Sequence, residues 1–327
     1  MWSKEMLKPF AVAVLIFVAA AHAPARADDY PSRPVRFIVT TAPGGLMDVA
    51  ARLFADSFDK QFHQRLVVEN RGGAGGNLGV EVMTKAAPDG YTLAQIQIGN
   101  VAVNPFVYKD LPFDVFKDIV PVAPLTSSPV IVTVSTKLPV TNLRDLIALA
   151  KKEPGKLNDG TAGAGTAPHL AGELFAQAAG IKVTHIHYRG AGPAIADVAA
   201  GQVDMTFLGL GAVRGQVDAG LVKALAVSQP KRLAAAPNIP TAAEAGLPNF
   251  EFVTWFGVGA PRGTPPEVIA TLVRAIHAMQ DDPEIQKRLS ESGLEPLEES
   301  QAEFAKRIRR DYDQLGPVVE ALGIKPQ

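Results

Sequence analysis

Short apolar runs alternate with helix-period segments along most of the chain. The runs are rich in Val, Ile, Leu or Phe and are bounded by Gly, Pro, Asn or Asp, as is typical of buried strands. We predict strands at Val35–Thr40, Leu66–Val68, Thr92–Ile98, Val130–Ser135, Val183–His187, Val203–Phe207 and Ala224–Val227. We predict helices at Met47–Phe58, Leu78–Ala86, Leu143–Lys151, Pro168–Ala179, Ala194–Ala200 and Ala212–Ala219. This alternation predicts mostly parallel sheets that are covered by helices on both faces.

The last quarter of the chain has a helical pattern. Thr264 and Glu267 have the spacing of a capping box, with Pro265 at the first helical position, before a predicted helix at Val268–Gln280. A second helix is predicted to start at Asp282-Pro283. A third is predicted from a capping box of Ser300 with Glu303, and its apolar face would carry Phe304, Ile308, Tyr312 and Leu315.

Two segments are candidate passages between lobes. The Pro-rich stretch Val120–Pro129 would lead into a second lobe, and Ser228–Pro240 would lead back. Two passages imply a discontinuous first lobe, 28–125 plus 229–327, and an inserted second lobe, 126–228. The position of the second passage stays open between about 225 and 255.

The first 27 residues have the layout of a secretory signal. Lys4 and Lys8 precede the apolar run Phe10–Ala21, and two small-residue cleavage sites follow, Ala21-His22-Ala23 and Ala25-Arg26-Ala27. The run is shorter than the roughly 20 residues that cross a bilayer. We therefore predict a cleaved signal peptide at 1–27, with an uncleaved anchor as the alternative.

Composition removes several classes of chemistry. The 327 residues carry a formal net charge of -1, which gives no global electrostatic case for binding nucleic acid. The chain has 0 cysteines, which excludes disulfides, thiolate metal sites and a cysteine nucleophile. Its hydrophobic fraction of 47% is that of a globular chain, and its length suggests two domains.

Turns rich in small residues follow several predicted strands and lead into helices. They span 40–48, 70–77, 160–166 and 188–193. Backbone N–H groups are free at helix N-termini, where the helix dipole favours negative charge. Several such turns suggest a small carboxylate or phosphate ligand, although any one of them could be only a tight connection. Neither a phosphate-binding Gly-Lys-Ser/Thr loop nor a complete dinucleotide fingerprint occurs.

Catalytic and metal-binding patterns are weak. His185 and His187 alternate on one strand face, and His169 is near them in sequence, so a metal pair is conceivable. The sequence shows no carboxylate clustered with them, and we predict no metal and no cofactor. Arg189 and Arg214 could hold a ligand carboxylate, but surface positions are the simpler interpretation. No nucleophile–base motif is found, and we predict that the chain is not an enzyme.

Eight short motifs together resemble those of a known family. The chain is similar to the extracytoplasmic receptors of tripartite tricarboxylate transporters, the Bug-type solute-binding proteins, over nearly all of its mature length. The motifs that carry this resemblance are Ala42-Pro43-Gly44-Gly45 with Asp48, Val68-Glu69-Asn70-Arg71 with Gly75-Gly76-Asn77, Ala87-Pro88-Asp89-Gly90-Tyr91-Thr92-Leu93, His169-Leu170-Ala171-Gly172-Glu173-Leu174-Phe175, Tyr188-Arg189-Gly190, Gly201-Gln202-Val203-Asp204, Pro240-Thr241 with Glu244-Ala245-Gly246, and Trp255-Phe256-Gly257 with Ala260-Pro261 and Gly263-Thr264-Pro265.

The resemblance implies an α/β, two-lobed periplasmic binding protein fold of type II-like form, with two crossover segments. It also implies a periplasmic, monomeric receptor that closes on a small carboxylate and delivers it to membrane transporter subunits of the tripartite tricarboxylate type. Two alternatives stay open at this point. One is a secreted α/β enzyme acting on a carboxylic acid, and the other is a co-receptor that presents the ligand to a signalling system.

Two departures from the family pattern bear on the ligand. Leu46 and Met47 stand where the family usually has Gly and Thr, and Leu208-Gly209 follows Phe207 where the family often has Asp-Asn. We therefore predict a ligand with a larger apolar body than citrate, such as an aromatic or medium-chain (di)carboxylate. Alternatively, Leu46 packs under its helix and touches nothing.

The candidate ligand-binding residues come from both lobes. Asp204 is included as a structural or water-positioning group, because its charge would repel a carboxylate. The full set is Pro43, Gly44, Gly45, Leu46, Met47, Asp48, Gly99, Asn100, Gly165, Thr166, His169, Tyr188, Gly190, Ala191 and Asp204.

Overall fold

The computed structural model describes residues 30–41, 43–164, 166–188 and 190–323. The predicted signal peptide and the candidate Gly165 lie outside these ranges. Within them, no helix combines the length and the apolar character that a membrane crossing requires.

Strands and helices alternate through most of the described chain. The strands are β1 Val35–Val39, β2 Leu66–Asn70, β3 Thr92–Gln97, β4 Ile119–Ser135, β5 Asn158–Thr161, β6 Thr184–His187, β7 Met205–Gly209, β8 Val222–Val227, β9 Val253–Pro261 and β10 Glu295–Pro296. The helices are α1 Leu46–Phe62, α2 Asn77–Thr84, α3 Asn104–Val107, α4 Leu143–Lys152, α5 Ala167–Ala179, α6 Ala191–Ala200, α7 Leu210–Asp218, α8 Pro266–Gln280, α9 Pro283–Glu291 and α10 Gln301–Ala321.

The strands form two mixed arrays, one in each lobe. In the first, β1 pairs in parallel with β2 and β3, while β9 lies antiparallel between β3 and the first half of β4. In the second, β5 pairs in parallel with β6 and β7, while the second half of β4 pairs antiparallel with β7 and β8. The prediction of mostly parallel sheets therefore holds for the βαβ units alone. The sequence pattern missed β9 and the first half of β4, and both of them pair antiparallel.

One strand, β4, belongs to both lobes. It pairs with β9 as far as Pro129 and with β7 and β8 from Val130 onward. The register shifts after Pro121 and after Pro124, as expected of residues that have no N–H to give to a ladder. The segment predicted as a passage between lobes is thus a paired strand rather than a loop.

Ser228 ties the returning chain to β4. Its backbone N–H donates to the carbonyl of Val130 at 3.0 Å, and its Oγ accepts from the Val130 N–H at 3.0 Å. The Ser228 hydroxyl donates to the carbonyl of Phe252, whose own N–H donates to the carbonyl of Ser228. Ser228 is fully buried. Its hydrogen bonds hold the returning chain and the segment at Phe252 against β4.

Side chains alternate between the two faces of the first sheet, as a strand requires. Phe37 packs with Phe54 of α1 and Leu272 of α8, whereas its neighbour Ile38 packs with Val80 and Met83 of α2 on the opposite face. Helices therefore cover both faces, as the sequence pattern predicts.

Of the three N-terminal signals predicted for the last helices, two are confirmed. The side chain of Asp282 caps α9, and Ser300 with Glu303 forms the capping box of α10. The predicted capping box of Thr264 and Glu267 is wrong, because Pro265 stands at the N-cap position of α8 and no described side chain caps this helix. The Thr264 hydroxyl donates instead to the carbonyl of Pro261, at 2.8 Å.

We expect Gly257→Ala to lower the free energy of unfolding by about 1–3 kcal/mol. A Cβ at Gly257 in β9 would overlap the ring of Phe304 and lie 3.0 Å from the carbonyl oxygen of Ala123. The matched control is Gly215→Ala in α7, where a Cβ meets nothing within 4 Å. Chemical denaturation should show the control unchanged or slightly stabilised. Equal effects of the two substitutions would contradict this account of the β9–α10 contact.

Candidate functional site

The turns that follow β1, β2 and β3 meet at one edge of the first sheet, because parallel strands end on the same side. Asn100 donates from Nδ2 to Thr40 Oγ1 at 3.2 Å, and its Oδ1 accepts from the backbone N–H of Gln97 at 3.0 Å. Asn104 donates to the carbonyl of Gly75 at 3.0 Å. Asn100 is fully buried and Gly99 half-buried. The side chain of Asn100 therefore joins turns together, and its backbone lies at the predicted edge.

Asp48 holds the first of these turns in place. Its carboxylate accepts from the N–H of Gly44 at 3.0 Å, from two nitrogens of Arg52 at 3.0 Å, and from Asn70 Nδ2 at 3.1 Å. Burial alone would raise the pKa of Asp48, but these hydrogen bonds outweigh it and lower the pKa. Asp48 is ionised and engaged within the fold, so it positions the turn. Sequence analysis missed Arg52, although its i,i+4 spacing from Asp48 is a recognisable signal.

The N-terminus of α1 is open to solvent. Pro43, Gly44 and Gly45 are exposed, and the N-cap residue Gly45 supplies no side-chain hydrogen bond. Leu46 is 41% exposed, which contradicts the alternative that it packs under its helix. Met47 is 3% exposed and packs in the core beside α8. Leu46 can therefore offer its side chain to a ligand, whereas Met47 can offer only its backbone.

A second group of turns meets at the carboxyl ends of β5 and β6. The N–H of Tyr188 donates to the carbonyl of Thr161 at 3.0 Å, and that of Gly190 donates to the carbonyl of Ala162 at 3.1 Å. The Thr166 hydroxyl donates to the carbonyl of Gly163 at 2.7 Å. Thr166 is the N-cap residue of α5, but its side chain does not cap the helix. Its hydroxyl hydrogen is used within the turn, so a ligand carboxylate would meet the backbone N–H groups of α5.

Gly190 and Ala191 begin α6 at the same edge, and both are half-buried. Gly190 has φ +113°, a conformation that favours glycine, and a Cβ there would meet nothing within 4 Å. Tyr188 lies beside them and donates from its hydroxyl to Asp197 Oδ2 at 2.6 Å. Burial and the Asp197 carboxylate raise the pKa of Tyr188 to about 12. The phenol is therefore neutral, and its hydroxyl hydrogen is used in the bond to Asp197 of α6.

His169 lies in a cluster of ionisable groups behind the Thr166 turn. Its ring packs edge-on against those of His185 and His187, with centroids 4.9 Å and 4.7 Å away. His185 contacts Glu173 Oε1 through Nε2 at 3.1 Å and Asp159 Oδ2 through Nδ1 at 2.8 Å. The sequence-based premise that no carboxylate clusters with these histidines is therefore wrong. Asp159 comes from another strand, although Glu173 stands at i,i+4 from His169.

Burial and charge control protonation in this cluster. Burial raises the pKa of Asp159 to about 6, against the opposing effect of His185. Burial also lowers the pKa of His169 to about 4, so its imidazole is neutral near pH 7. For His185 burial acts in the same direction, but the carboxylates of Asp159 and Glu173 outweigh it and raise its pKa.

Asp204 lies away from the other candidates. It immediately precedes β7, and its Oδ2 accepts from the N–H of Asn158 at 2.8 Å. The N–H of Asp204 donates to the carbonyl of Asn158 at 3.1 Å. Asn158 begins β5, so this contact is at the amino edge of the second sheet, opposite the turns described above. Asp204 joins strand ends, and its geometry does not place it at a ligand.

Among the described residues, the helices at the carboxyl edges have no side-chain caps at their N-termini, and α2, α3 and α8 also lack such a cap. The N-cap residues of α1, α5, α6 and α7 follow or adjoin the carboxyl ends of strands, and none of them gives a side-chain hydrogen bond to its helix: Gly45, Thr166, Gly190 and Gly209. The N-cap residues of α4, α9 and α10 all do so: Asn142, Asp282 and Ser300. Uncapped N-termini offer backbone N–H donors and positive dipole ends to an anion.

Several known proteins are similar to this chain over most of its length. Protein BugT of Bordetella pertussis is 33% identical over 315 residues, which cover 96% of this chain and 97% of BugT. A solved structure of the R. palustris protein Rpa4515 with adipate is 34% identical, with a TM-score of 0.72, and covers 91% of this chain and 100% of that one. The structure of MatC from Rhodopseudomonas palustris with bound malate is 30% identical, with a TM-score of 0.67, and covers 89% of this chain and 100% of that one.

The family assignment rests on most of the chain. Residues 50–324 match the model of a family described as the tripartite tricarboxylate transporter family receptor. The matched range begins within α1 and runs to the end of α10. It includes the turns that follow β2, β3, β5 and β6, and it begins just after the turn at 43–48. The chain therefore belongs to the receptor family of the tripartite tricarboxylate transporters.

Proposed function

We propose that the chain is a periplasmic solute-binding receptor that captures a small carboxylate and delivers it to a tripartite tricarboxylate-type membrane transporter. The observation that carries this proposal is the set of uncapped helix N-termini at the carboxyl edges of both sheets. Such termini hold carboxylates without basic side chains, which suits a chain whose formal net charge is -1. The relatives solved with adipate and malate support a carboxylate ligand.

In this proposal the two groups of turns face each other across a cleft between the lobes. The first lobe contributes the turn that Asp48 holds and the edge residues Gly99 and Asn100. The second contributes the first turns of α5 and α6. The lobes, 28–125 plus 229–327 and 126–228, would close by bending where β4 and the returning chain meet at Ser228. The protein would act as a monomer without cofactor or catalytic step, after export by its N-terminal signal.

Leu46 is the side chain that we assign to ligand selection. It stands at the first helical position of α1, beside the N–H groups that would hold a carboxylate, and it is 41% exposed. An apolar contact at this point favours a ligand with several methylene groups or a ring. We therefore propose an aromatic or medium-chain dicarboxylate of the adipate type, rather than citrate.

A panel of acids tests the proposed ligand class. We expect adipate or an aromatic carboxylate to raise the unfolding temperature more than citrate or malate does. A ligand at 100 times its Kd should stabilise the protein by about 2.7 kcal/mol. Differential scanning fluorimetry reports the shift, and chromatography of the mixture should show the acid unchanged. Tight binding of citrate with no response to any aromatic or six-carbon acid would refute the ligand class, and turnover of an acid would refute the receptor.

Gly45→Glu tests whether the α1 terminus holds the carboxylate. Gly45 has φ -83°, and a Cβ there meets nothing within 4 Å, so the backbone accepts a side chain. A carboxylate at this end stabilises the helix but repels an anion. We expect affinity to fall roughly 100-fold or more, measured by calorimetry with the best acid of the panel.

The matched control for this test is Gly45→Gln, which has the same length and no charge. It should retain most of the affinity, and circular dichroism should show both variants folded. Gly44 is a less suitable position, because its φ of +86° would strain any side chain. Equal affinities of Gly45→Glu and Gly45→Gln would place the carboxylate elsewhere.

Leu46→Ala tests selection by the apolar side chain. Loss of its contact should weaken binding of a six-carbon or aromatic acid by roughly 5-fold and leave a four-carbon acid nearly unaffected. The control is Leu221→Ala, since Leu221 is 51% exposed and lies outside both groups of turns. Titration calorimetry with acids of both lengths measures the change in selectivity. An unchanged ratio of affinities would show that Leu46 does not contact the ligand.

A further inference from the structure

Three side chains behind the Thr166 turn present metal-ligand atoms to one point. One nitrogen each of His169 and His185 and one oxygen of Glu173 lie within 4.8 Å of one another. His185 Nε2 is 3.1 Å and His169 Nε2 is 3.8 Å from Glu173 Oε1. Ligands at about 2.0–2.1 Å from a tetrahedral zinc ion are separated by roughly 3.3 Å. The cluster therefore needs only small side-chain movements to hold such an ion.

Helix and strand together fix these atoms. His169 and Glu173 stand at i,i+4 on α5, so they share one face of the helix. His185 comes from β6, which pairs with β5. Gly172 allows the close approach, because a Cβ there would overlap Asp159 Oδ2 and lie 3.0 Å from His185 Cε1. The ligand atoms thus come from two rigid elements.

Asp159 supplies the outer partner that metal-binding histidines usually have. Its Oδ2 lies 2.8 Å from His185 Nδ1, which leaves Nε2 of that ring facing Glu173 and His169. A carboxylate at Nδ1 fixes the ring and makes Nε2 a better ligand. Asp159 is 0% exposed, and its Oδ1 has no hydrogen-bond partner among the described residues.

We propose that His169, Glu173 and His185 form a binding site for a divalent transition-metal ion of the zinc type, oriented by Asp159. Two imidazoles and one carboxylate are the ligands that such an ion prefers, and three protein ligands leave a fourth position for water. The two carboxylates, Glu173 and Asp159, carry two negative charges when ionised, and an ion of charge +2 would balance them in place of the proton on His185. The ion would fasten α5 to β6 directly behind the turn proposed to meet the carboxylate.

Zinc binding to the purified full chain tests this proposal. The protein is prepared without a histidine tag and is stripped of metal with a chelator. Competition with a chromophoric chelator should give one ion per chain, and Co²⁺ should produce the visible absorption of a tetrahedral nitrogen–oxygen site. Glu173→Gln and His185→Gln should each abolish stoichiometric binding. Asp159→Asn should weaken it by about 10–100-fold with the cobalt spectrum retained, as expected of a positioning residue.

His277→Asn is the control variant, because His277 lies on α8 and contacts the carbonyl of Glu299 instead of this cluster. It should bind zinc as the unaltered chain does. Circular dichroism on every variant separates loss of the site from loss of the fold, and a folded Glu173→Gln chain that binds zinc unchanged would overturn the proposal. So would absence of stoichiometric binding by the unaltered chain. Carboxylate binding by the stripped protein is measured in parallel, so failure of the metal site is distinguishable from failure of the receptor proposal.

Discussion

The continuity of β4 is the constraint on which the two-lobed structure depends. A single strand gives its first half to β9 and its second half to β7 and β8, so its path fixes how the two sheets are joined. Three prolines in its first half leave ladder positions without donors, and the register shifts beside two of them. The buried hydrogen bonds of Ser228 then tie the second crossing to the same point of β4. In the proposed closure, the lobes would bend at this junction.

Parallel βαβ units on either side of that junction place helix N-termini at the carboxyl edges of both sheets. Side chains near those termini are largely used within the protein: Asp48 holds its turn, Asn100 joins two turns, and Tyr188 bonds to Asp197. What stays available at the edges is mainly backbone N–H. A carboxylate is well matched to such donors, because both of its oxygens accept hydrogen bonds and its charge meets the positive end of the helix dipole.

Signals within a few residues of one another predicted most helices and strands. The features that the sequence did not predict depend mainly on contacts between residues that are distant in the chain. Periodicity and glycine-rich turns located α1, α5 and β1 because those signals lie within a few residues. The strand β5 escaped because Asn158–Thr161 reads Asn-Asp-Gly-Thr, with no apolar run. Asp48 and Asn70 each stand in one of the family motifs, but their contact was not predicted, because it depends on the pairing of β1 with β2. For the same reason Asp159 could not be assigned to His185 before β5 and β6 were seen to pair.

In the two proposals, α5 contributes to two binding sites that use different groups, one at its N-terminus and one in the cluster behind the Thr166 turn. Its N-terminal N–H groups point along the helix axis toward the proposed cleft, whereas His169 and Glu173 project sideways toward β6. An anion at the end of the helix and a cation at its side would each meet groups that the other does not use. Since Asp159 and His185 are held by strand pairing, a cation there would restrain the helix that carries the anion-binding turn. A more rigid turn loses less conformational entropy when it binds the carboxylate. Metal binding would therefore favour carboxylate binding, although the two sites share no ligand groups.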